Sequence, residues 1–533
     1  MNRRVLAVLL IGGWLAACSE SRAPVAPAAV AAQAKTAVAA PAEHAKPDGI
    51  AWRDGQVTEA LAEAAETGKP VLLYWEAVWC PPCNQLKATL FKQPEFIART
   101  RAFLPVYLDG DSSGAQKWAE HFAIVGYPTM IVLRADGTEL TRLDGGLDPG
   151  QYPKLLDAAS RQTQPIGALL DQATAEPQAL SADDWTLLAS YGWYLDDVRL
   201  ANMKALAAKL DQLASLALQP DLKQRFSVLA WAFRLDNAKK PEQAIPVAEQ
   251  AACRKLLQQI LAEPASVRAN LLELEYRGAD LLRSVAKPGS TEWRQRATSL
   301  QRAMDAVQAD PDIAVLNRLY SRKVAIDLAR YEAGKRKKLP AALTASLLAQ
   351  VKAADAETRS PHERMAVINT AADLLQSAGL GAEAEALLKA EVERSDVPYY
   401  FMGWLAGLAQ ERGDKTAAKD WARQAWERSE GPATRVQWGT DYITMLIALV
   451  PADAATIEQI VASIIDEAVA VPDAYYGRTR RSFARLDKTL RAWATAHKQD
   501  AVLQRLHARV QPLCAALPAN AEPATACGQF LSI

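Results

Sequence analysis

The sequence is poor in the residues that most often bind metals or recognise nucleic acids. Its 533 residues include five histidines and six cysteines, and 61 basic residues are balanced by 61 acidic ones. A formal net charge of zero gives no sign of a polyanionic partner, and the basic cluster Arg336–Lys338 is more simply explained as a solvated helix end. We therefore expect no binding to nucleic acid.

Long apolar runs are also scarce. After the first residues, no apolar segment is long enough to span a membrane. The histidines are scattered, and no two of them have the spacing of metal ligands. The sequence thus predicts neither a metal site nor a transmembrane helix.

Residues 1–18 have the pattern of a secretory signal peptide, because basic residues precede a short apolar run and small residues before Cys18. Leu15–Cys18 resembles the lipobox of bacterial lipoproteins, and the resemblance implies that Cys18 is lipidated. Ordinary secretion with an incidental cysteine is the alternative. Ser19 favours the outer membrane slightly, so we expect a periplasm-facing protein that is lipid-anchored to the cell membrane.

Residues 19–49 are rich in alanine and proline and show no hydrophobic period. Such a segment buries too little apolar surface to offset its chain entropy, so it predicts a disordered tether. The rest of the chain divides by pattern into two parts. Strands and helices alternate in 50–162, and helical periodicity dominates in 163–533.

In 50–162, short apolar runs typical of buried strands alternate with helical segments, which predicts an α/β domain. A hairpin turn at Ala135–Thr138 joins the last two strands. The predicted strands are Val71–Trp75, Phe103–Leu108, Met130–Leu133 and Glu139–Leu143. The predicted helices are Thr58–Glu66, Cys80–Phe91, Pro94–Arg99, Lys117–Phe122 and Pro149–Ser160.

Two motifs of this domain carry chemistry. Trp79–Cys83 has the sequence Trp-Cys-Pro-Pro-Cys at a helix start, and Gly126–Thr129 places a proline, Pro128, just before a strand. Together they resemble the WCxxC motif and the cis-proline loop of the thioredoxin superfamily. The surrounding sequence is similar to the C-terminal redox domain of DsbD-type disulfide reductases. The resemblance implies a thioredoxin-like fold, a cis Tyr127–Pro128 bond against the cysteines, and a Tyr127 backbone that pairs with an extended substrate.

The position of Cys80 at a helix N-terminus gives it the character of a nucleophile. The helix dipole and unpaired backbone N–H groups lower a thiol pKa from about 8.5 to roughly 3.5–7.5. Cys83 lies one helical turn later and is expected to be the more buried, resolving thiol. A structural disulfide or half a zinc site is the alternative, but no second CxxC is present. No cofactor is expected beyond the redox-active disulfide Cys80–Cys83.

One position departs from the superfamily pattern. Many thioredoxins carry a buried aspartate six residues before the first cysteine, where this chain has Tyr74. Glu76 is the nearest acid and could take over its role, which is to help deprotonate the resolving thiol. Alternatively, Glu76 is a charge at the strand end that faces solvent.

The remaining cysteines are expected to be structural. Cys514 and Cys527 lie in a tail rich in proline and alanine, and a disulfide between them would form in an oxidising periplasm. Two unpaired thiols fit the same spacing. Cys253 lies in a helical segment and is expected to be a small buried hydrophobe.

Residues 163–533 predict an all-α array, with segments such as Leu200–Leu216, Arg225–Leu235, Ala244–Leu261 and Ser266–Ala286. The segment 374–395 recurs 34 residues later, which resembles the helix-turn-helix period of a tetratricopeptide repeat. Aromatic residues of this part either line a concave peptide-binding face or, more simply, fill the core. They are Tyr399, Tyr400, Phe401, Trp404, Trp421 and Trp426.

These features favour a membrane-anchored thiol:disulfide oxidoreductase, with reductase the favoured direction because of the DsbD resemblance. Its partners would be protein substrates with disulfides or thiols and a membrane thiol reductant such as a DsbD-type donor. The helical region would select or hold the substrate. The alternative is a helical-repeat scaffold or holdase of the cell envelope, in which the thioredoxin-like domain only docks clients.

Overall fold

The computed structural model describes residues 46–143, 145–196, 203–333, 338–469, 471, 474–519 and 521–532. The predicted signal peptide, Cys18 and nearly all of the predicted tether lie outside the described residues. Within the described part of the chain, no helix combines the length and apolarity needed to cross a membrane.

The first part of the chain alternates strands and helices, as predicted. The strands are β1 (Arg53–Asp54), β2 (Val71–Glu76), β3 (Leu104–Asp109), β4 (Thr129–Leu133) and β5 (Glu139–Leu143). The helices are α1 (Val57–Thr67), α2 (Pro81–Ala88), α3 (Pro94–Thr100), α4 (Ala115–His121) and α5 (Tyr152–Arg161). Short 3-10 turns at Leu90–Lys92 and Pro149–Gln151 occupy ends that the sequence assigned to longer helices.

The five strands form one mixed sheet in the order β1-β3-β2-β4-β5. Strands β1, β3 and β2 are parallel, whereas β4 is antiparallel to both β2 and β5. In the central pair, Glu76 at the end of β2 lies beside Asp109 at the end of β3. Two acidic residues therefore meet at one edge of the sheet.

Strand β2 shows why the two faces of this sheet differ. Its side chains point alternately to opposite faces. Val71, Leu73 and Trp75 pack with α1 and α4, whereas Leu72 and Tyr74 pack with the side that carries α2, α3 and α5. The same alternation directs Glu76 towards α2, which carries the cysteines.

The rest of the chain is helical. Its helices are α6 (Ile166–Ala175), α7 (Ala182–Ala189), α8 (Met203–Leu216), α9 (Pro220–Asn237), α10 (Val247–Ala262), α11 (Pro264–Ala269), α12 (Leu271–Val285), α13 (Thr291–Ala309), α14 (Val315–Tyr320), α15 (Arg322–Ala333), α16 (Ala341–Glu357), α17 (Pro361–Ala378), α18 (Gly381–Val392), α19 (Pro398–Glu411), α20 (Lys415–Arg428), α21 (Pro432–Leu449), α22 (Ala454–Val469), α23 (Gly477–His497), α24 (Asp500–Ala515) and α25 (Glu522–Gln529). The predicted segment Ser266–Ala286 is divided between α11 and α12.

The internal repeat corresponds to two helix pairs, α17–α18 and α19–α20. Gly379 and Gly413, which are 34 residues apart, both adopt a positive φ near 80° in the turn of their pair. Each pair packs against its neighbours in chain order. Whether the array is a tetratricopeptide-type solenoid stays a prediction, as do the domain limits 50–162 and 163–533.

The hydrophobic core does not break between the two parts of the chain. Residues of α6, α7, α8 and α9 share one buried cluster with the α2 side of the sheet. Arg142 on β5 is fully buried and donates to the carbonyl oxygens of Phe122 and Leu195 at 2.7 and 2.8 Å. The helical region is therefore fixed to the sheet where it begins.

The C-terminal cysteines form a disulfide in the structure, with Cα atoms 5.3 Å apart. The bond joins Cys514 of α24 to Cys527 of α25. Cys253 is a free, buried cysteine on α10, and burial raises the pKa of its thiol to about 12. A thiol with such a pKa is protonated at neutral pH and unreactive.

Candidate functional site

Cys80 and Cys83 lie where the sequence placed them, at the start of α2. Cys80 is the N-cap residue, and Pro81 and Pro82 occupy the first helical turn, where no backbone donor is missed. The Cys83 backbone N–H donates to Cys80 Sγ at 3.2 Å. The two cysteines are joined as a disulfide with Cα atoms 5.3 Å apart. Such a backbone donor stabilises negative charge on Cys80 sulfur when the bond is open.

The proline loop completes the site. The Tyr127–Pro128 peptide bond is cis. The Tyr127 ring lies edge-on to Trp79, with 6.4 Å between ring centroids, and both rings pack against the two cysteines. The structure thus brings together Trp79, Cys80, Cys83, Tyr127 and Pro128.

Glu76 lies beneath this site and is fully buried, so the solvent-facing alternative for this residue is wrong. Its carboxylate forms an ion pair with the buried Lys87 of α2 at 2.6 Å and accepts a short hydrogen bond from the Tyr107 hydroxyl. Burial, with the nearby negative charge of Glu76, raises the pKa of Tyr107 far above its ordinary value, so the phenol stays protonated. Lys87 follows Cys83 by one helical turn and therefore lies on the same side of α2.

Sequence reasoning missed Lys87. The sequence does contain a pattern that points to Lys87. A lysine four residues after Cys83 lies on the face that α2 turns towards the sheet, where an unpaired positive charge is costly. The period-two alternation of β2 directs Glu76 to that same face. Together the two patterns predict a buried ion pair.

The most unexpected feature is that the helical region covers this site. The Trp79 indole N–H donates to Thr434 Oγ1 at 2.9 Å, and its ring stacks on Tyr400 and lies edge-on to Trp438. The guanidinium of Arg478 lies 5.3 Å from the Trp79 ring centroid, within the range of a cation–π contact. Cys80 is only 3% exposed and Cys83 is fully buried.

Asp111, in the loop after β3, holds the two parts together. One of its carboxylate oxygens accepts from the Thr434 backbone N–H at 2.7 Å, and the other accepts from the Thr434 hydroxyl and from Arg478 Nη2 at 3.0 Å. The side chains of Asp111 and Arg478 are 6% and 8% exposed. This pair is therefore shielded from water and weakly screened by salt.

The α/β domain also caps the helices that cover it. Thr434 lies in the first turn of α21, and Gly477 and Arg478 open α23. The backbone N–H groups of Gly477 and Arg478 donate to Glu120 at 2.9 Å and to Gln116 at 2.6 Å, both on α4. Carboxylates at helix N-termini are favourable because they satisfy free N–H groups and complement the helix dipole.

A second contact joins α2 to α17. Nδ1 of His362 lies 2.6 Å from Oδ1 of Asn84, and the Asn84 amide donates to the carbonyl oxygens of Val78 and Cys80 at 2.7 and 3.0 Å. Burial, aided by the positive charge of Lys87, lowers the pKa of His362 below its ordinary value. A cavity of about 520 Å³ lies beside this contact, between α2 and the helices.

Asp109 is an acidic group whose charge is disfavoured at the site. Burial raises the pKa of its carboxyl to about 7, and the negative charges of Asp111 and Glu76 add to the effect. A hydrogen bond from the Asp111 backbone and the positive charge of Arg478 oppose it. The β3 end therefore carries a carboxyl that changes charge near neutral pH.

The other aromatic residues named from the sequence belong to the helical region, and the Tyr399 ring lies edge-on to Trp438 with 5.4 Å between ring centroids. Tyr399, Phe401 and Trp426 are buried in the core of the helical region, whereas Trp404 and Trp421 are partly buried against it.

Among the described residues, no group of three or more histidine, cysteine, aspartate or glutamate side chains is placed to hold a metal ion.

Comparison with known proteins supports the assignment of the α/β domain. Residues 57–160 match the family model of the thioredoxin-like domain. The chain is 32% identical over 133 residues to thiol:disulfide interchange protein DsbD 1 of Pseudomonas aeruginosa. This match covers 23% of this chain and 22% of that protein. It is 27% identical over 101 residues to DsbD of Klebsiella pneumoniae, covering 18% of this chain and 17% of that protein.

The match thus spans about a fifth of the length of these curated relatives. A solution structure of a thioredoxin from Thermus thermophilus aligns at 22% identity and a TM-score of 0.20, covering 25% of this chain and 98% of that chain. The predicted fold class, a thioredoxin-like α/β domain followed by a large all-helical region, is confirmed. A CxxC pair at disulfide distance in such a domain is the arrangement that thiol:disulfide oxidoreductases use.

The raised pKa of Asp109 predicts a pH-dependent stability that Asp109→Asn removes. The folded chain keeps the proton up to about pH 7, whereas the unfolded chain loses it near pH 4, so stability falls between these values and is level above them. We expect the variant to match the wild type at pH 4 and to be more stable by roughly 1–3 kcal/mol at pH 8. Urea unfolding at both pH values measures the difference. Equal stability of the two chains at pH 8 would show that Asp109 ionises freely.

Proposed function

We propose that the protein is a thiol:disulfide oxidoreductase that acts on protein substrates through Cys80 and Cys83. The observation that carries this proposal is the placement of Cys80 Sγ at the N-terminus of α2, beside the cis-proline loop and bonded to Cys83. A structural role for the pair is less well supported, because a structural disulfide needs neither the helix terminus nor the adjoining Trp79–Tyr127 surface.

The reaction starts from the reduced pair. The Cys80 thiolate attacks one sulfur of a substrate disulfide, forms a mixed disulfide and releases the other substrate sulfur as a thiolate. The Cys83 thiolate then attacks Cys80 sulfur and releases the second substrate thiolate. Two electrons pass to the substrate, and Cys80–Cys83 is left oxidised as the structure shows it.

Glu76 is proposed to accept the Cys83 proton before the second step. Cys83 is fully buried, and burial in apolar surroundings by itself disfavours the thiolate. Lys87 holds the Glu76 carboxylate at 2.6 Å on the Cys83 side of α2, and the Tyr107 hydroxyl binds it as well. This network supplies a buried acid where Tyr74 replaces the usual aspartate.

The favoured direction is reduction of substrates. The relatives' names describe thiol:disulfide interchange, and a reductase of this kind needs a membrane thiol donor of the DsbD type to restore the Cys80–Cys83 thiols. A lipid anchor at Cys18 and a periplasm-facing location would place the protein beside such a donor. The helical region, proposed to be tetratricopeptide-like, would hold the protein substrate.

The reductase direction predicts a low reduction potential for the Cys80–Cys83 couple. Equilibration of the full chain with glutathione or dithiothreitol buffers measures this potential. A value below about −230 mV, near the thioredoxin end of the range, is expected. A value of about −120 mV would make the reductase direction wrong. A couple with so high a potential oxidises the thiols of its substrates and does not reduce their disulfides.

Replacement of the resolving thiol tests the nucleophile. In Cys83→Ser, we expect the mixed disulfide between Cys80 and a disulfide-bonded test protein such as insulin to accumulate, because no second thiol releases it. Non-reducing electrophoresis detects the adduct. The double variant Cys80→Ser/Cys83→Ser is the control and should form none. If both variants bind the test protein equally and the bound protein survives reductant, the scaffold function replaces the oxidoreductase.

The Glu76→Gln variant tests the proton acceptor. We expect the mixed disulfide of this variant to resolve more slowly at neutral pH, by up to roughly 100-fold, because general-base assistance is lost. Raising the pH should restore the rate, because the Cys83 thiol then ionises without help. Quenched-flow measurement of the resolution step from pH 6 to pH 10 gives this profile, with Glu63→Gln on the surface of α1 as the control. A pH-independent loss would indicate a purely structural role for Glu76.

A further inference from the structure

The proposed chemistry requires a protein disulfide to reach Cys80 sulfur, and the structure closes that approach. Thiol–disulfide exchange depends on access to the attacking sulfur. Cys80 is 3% exposed, and Trp79 beside it is covered by Tyr400, Thr434 and Trp438. We call the covering helices α17, α19, α21 and α23 the helical cap. We call the surface formed by Trp79, Cys80, Asp111, Gln116, Glu120 and Tyr127 the CxxC face.

Much of the contact between the helical cap and the CxxC face is polar. The polar contacts are the Asp111–Arg478 ion pair, the hydrogen bonds of Asp111 with Thr434, and the bonds of Gln116 and Glu120 with α23. The apolar contacts are those of Trp79 with Tyr400 and Trp438. Polar groups can exchange these partners for water, whereas a purely apolar interface would resist separation. Relative motion of two domains is expected where the interface between them is not large and hydrophobic.

The cap is nevertheless shaped for this position. Within the described part of the chain, neither N-cap residue, Gly431 of α21 nor Tyr476 of α23, caps its helix through a side chain. The caps come from Asp111, Gln116 and Glu120 of the α/β domain. Closure therefore satisfies N–H groups of both helices, and opening returns them to water.

Two glycines make this close approach possible. A Cβ atom on Gly431 would lie 2.5 Å from the carboxyl carbon of Asp111, and a Cβ on Gly477 would lie 2.7 Å from the Gln116 carbonyl oxygen. Both residues also adopt a positive φ, 88° and 50°, that side chains rarely adopt. The helix starts and the CxxC face therefore fit each other at van der Waals distance.

We propose that the helical cap is an autoinhibitory element that occupies the CxxC face at rest, and that it separates from Asp111, Gln116 and Glu120 before a protein disulfide reaches Cys80. The inference deepens the proposed oxidoreductase function and rests on it. In the closed state the cap occupies the position of a substrate, with Tyr400 and Trp438 against Trp79. In the open state, Trp79 and the Tyr127–Pro128 loop become available to an extended protein segment.

A glycine pair in the chain provides a matched test. Gly431→Ala introduces a methyl group into the Asp111 carboxyl, which should force the cap away from the CxxC face. Gly413→Ala is the control, because Gly413 also has a positive φ of 83° but no described atom lies within 4 Å of where its Cβ would stand. Both variants carry backbone strain, and only the first disturbs the contact with the α/β domain.

The readout is the accessibility of Cys80. The full chain is reduced and treated with iodoacetamide, and mass spectrometry of the peptide that carries Cys80 follows its alkylation. Gly431→Ala should raise the alkylation rate at least about tenfold over the wild type, whereas Gly413→Ala should leave it unchanged. Equal rates in all three chains would overturn the proposal, since the cap would then not control access.

A second variant guards against a folding defect. Asp111→Asn keeps an oxygen for the Thr434 N–H but removes the charge that faces Arg478, so it should also speed alkylation. Circular dichroism confirms that each variant is folded. If both folded variants react no faster than the wild type, the cap is not autoinhibitory.

The rate at which each chain catalyses the reduction of insulin by dithiothreitol distinguishes a failure of this proposal from a failure of the proposed function. Faster alkylation together with faster insulin reduction supports both. Faster alkylation without insulin reduction in any chain leaves the cap as proposed and contradicts the oxidoreductase function. Rapid insulin reduction by the wild type, with no gain in the variants, supports the enzyme and contradicts the cap.

Discussion

Helices α21 and α23 begin at Gly431-Pro432 and at Gly477, and neither N-cap residue makes a side-chain capping bond in the described part of the chain. The α/β domain supplies the caps instead. The first N–H groups of a helix need acceptors, and carboxylates satisfy them best because they also complement the dipole. Asp111 and Glu120 meet this need, together with Gln116. The position of the helices over the CxxC pair follows from this requirement.

The charges of the site form two buried groups with different consequences. Glu76 and Lys87 lie entirely within the α/β domain, so their pairing is independent of the helices and prepares the environment of Cys83. Asp111 and Arg478 come from different parts of the chain, so their pairing lasts only while those parts touch. Separating the two parts returns both charges to water, whereas removing one partner by substitution leaves the other charge buried and unpaired, which is costly. Asp109 links the two groups, because its carboxyl responds to both Glu76 and Asp111.

Local patterns predicted the α/β domain except for β1, whose two residues are too few to show a strand pattern. Apolar runs predicted strands, Pro81 and Pro82 agreed with the start of α2, and the resemblance of Gly126–Thr129 to the thioredoxin loop implied the cis Tyr127–Pro128 bond. These features depend on residues close in sequence. The contact of Trp79 with Thr434 joins residues 355 positions apart, and no periodicity or spacing reports such a pairing. Gly431 and Gly477 resemble ordinary turn glycines until the side chains that approach them are known. The sequence therefore predicted the chemistry of the cysteines but not their enclosure.

We infer that the α/β domain caps α21 and α23 while the chain is at rest. The most direct test is hydrogen exchange at the backbone amides of Thr434, Gly477 and Arg478, resolved by mass spectrometry with fragmentation. The amides of Val247 and Ala248, the first two residues of α10 after Pro246, serve as the reference, and Val247 is exposed. We expect the three amides to exchange much more slowly than this reference, because Asp111, Glu120 and Gln116 accept from them. Exchange as fast as that of the α10 amides would mean that the helices do not rest on the CxxC face.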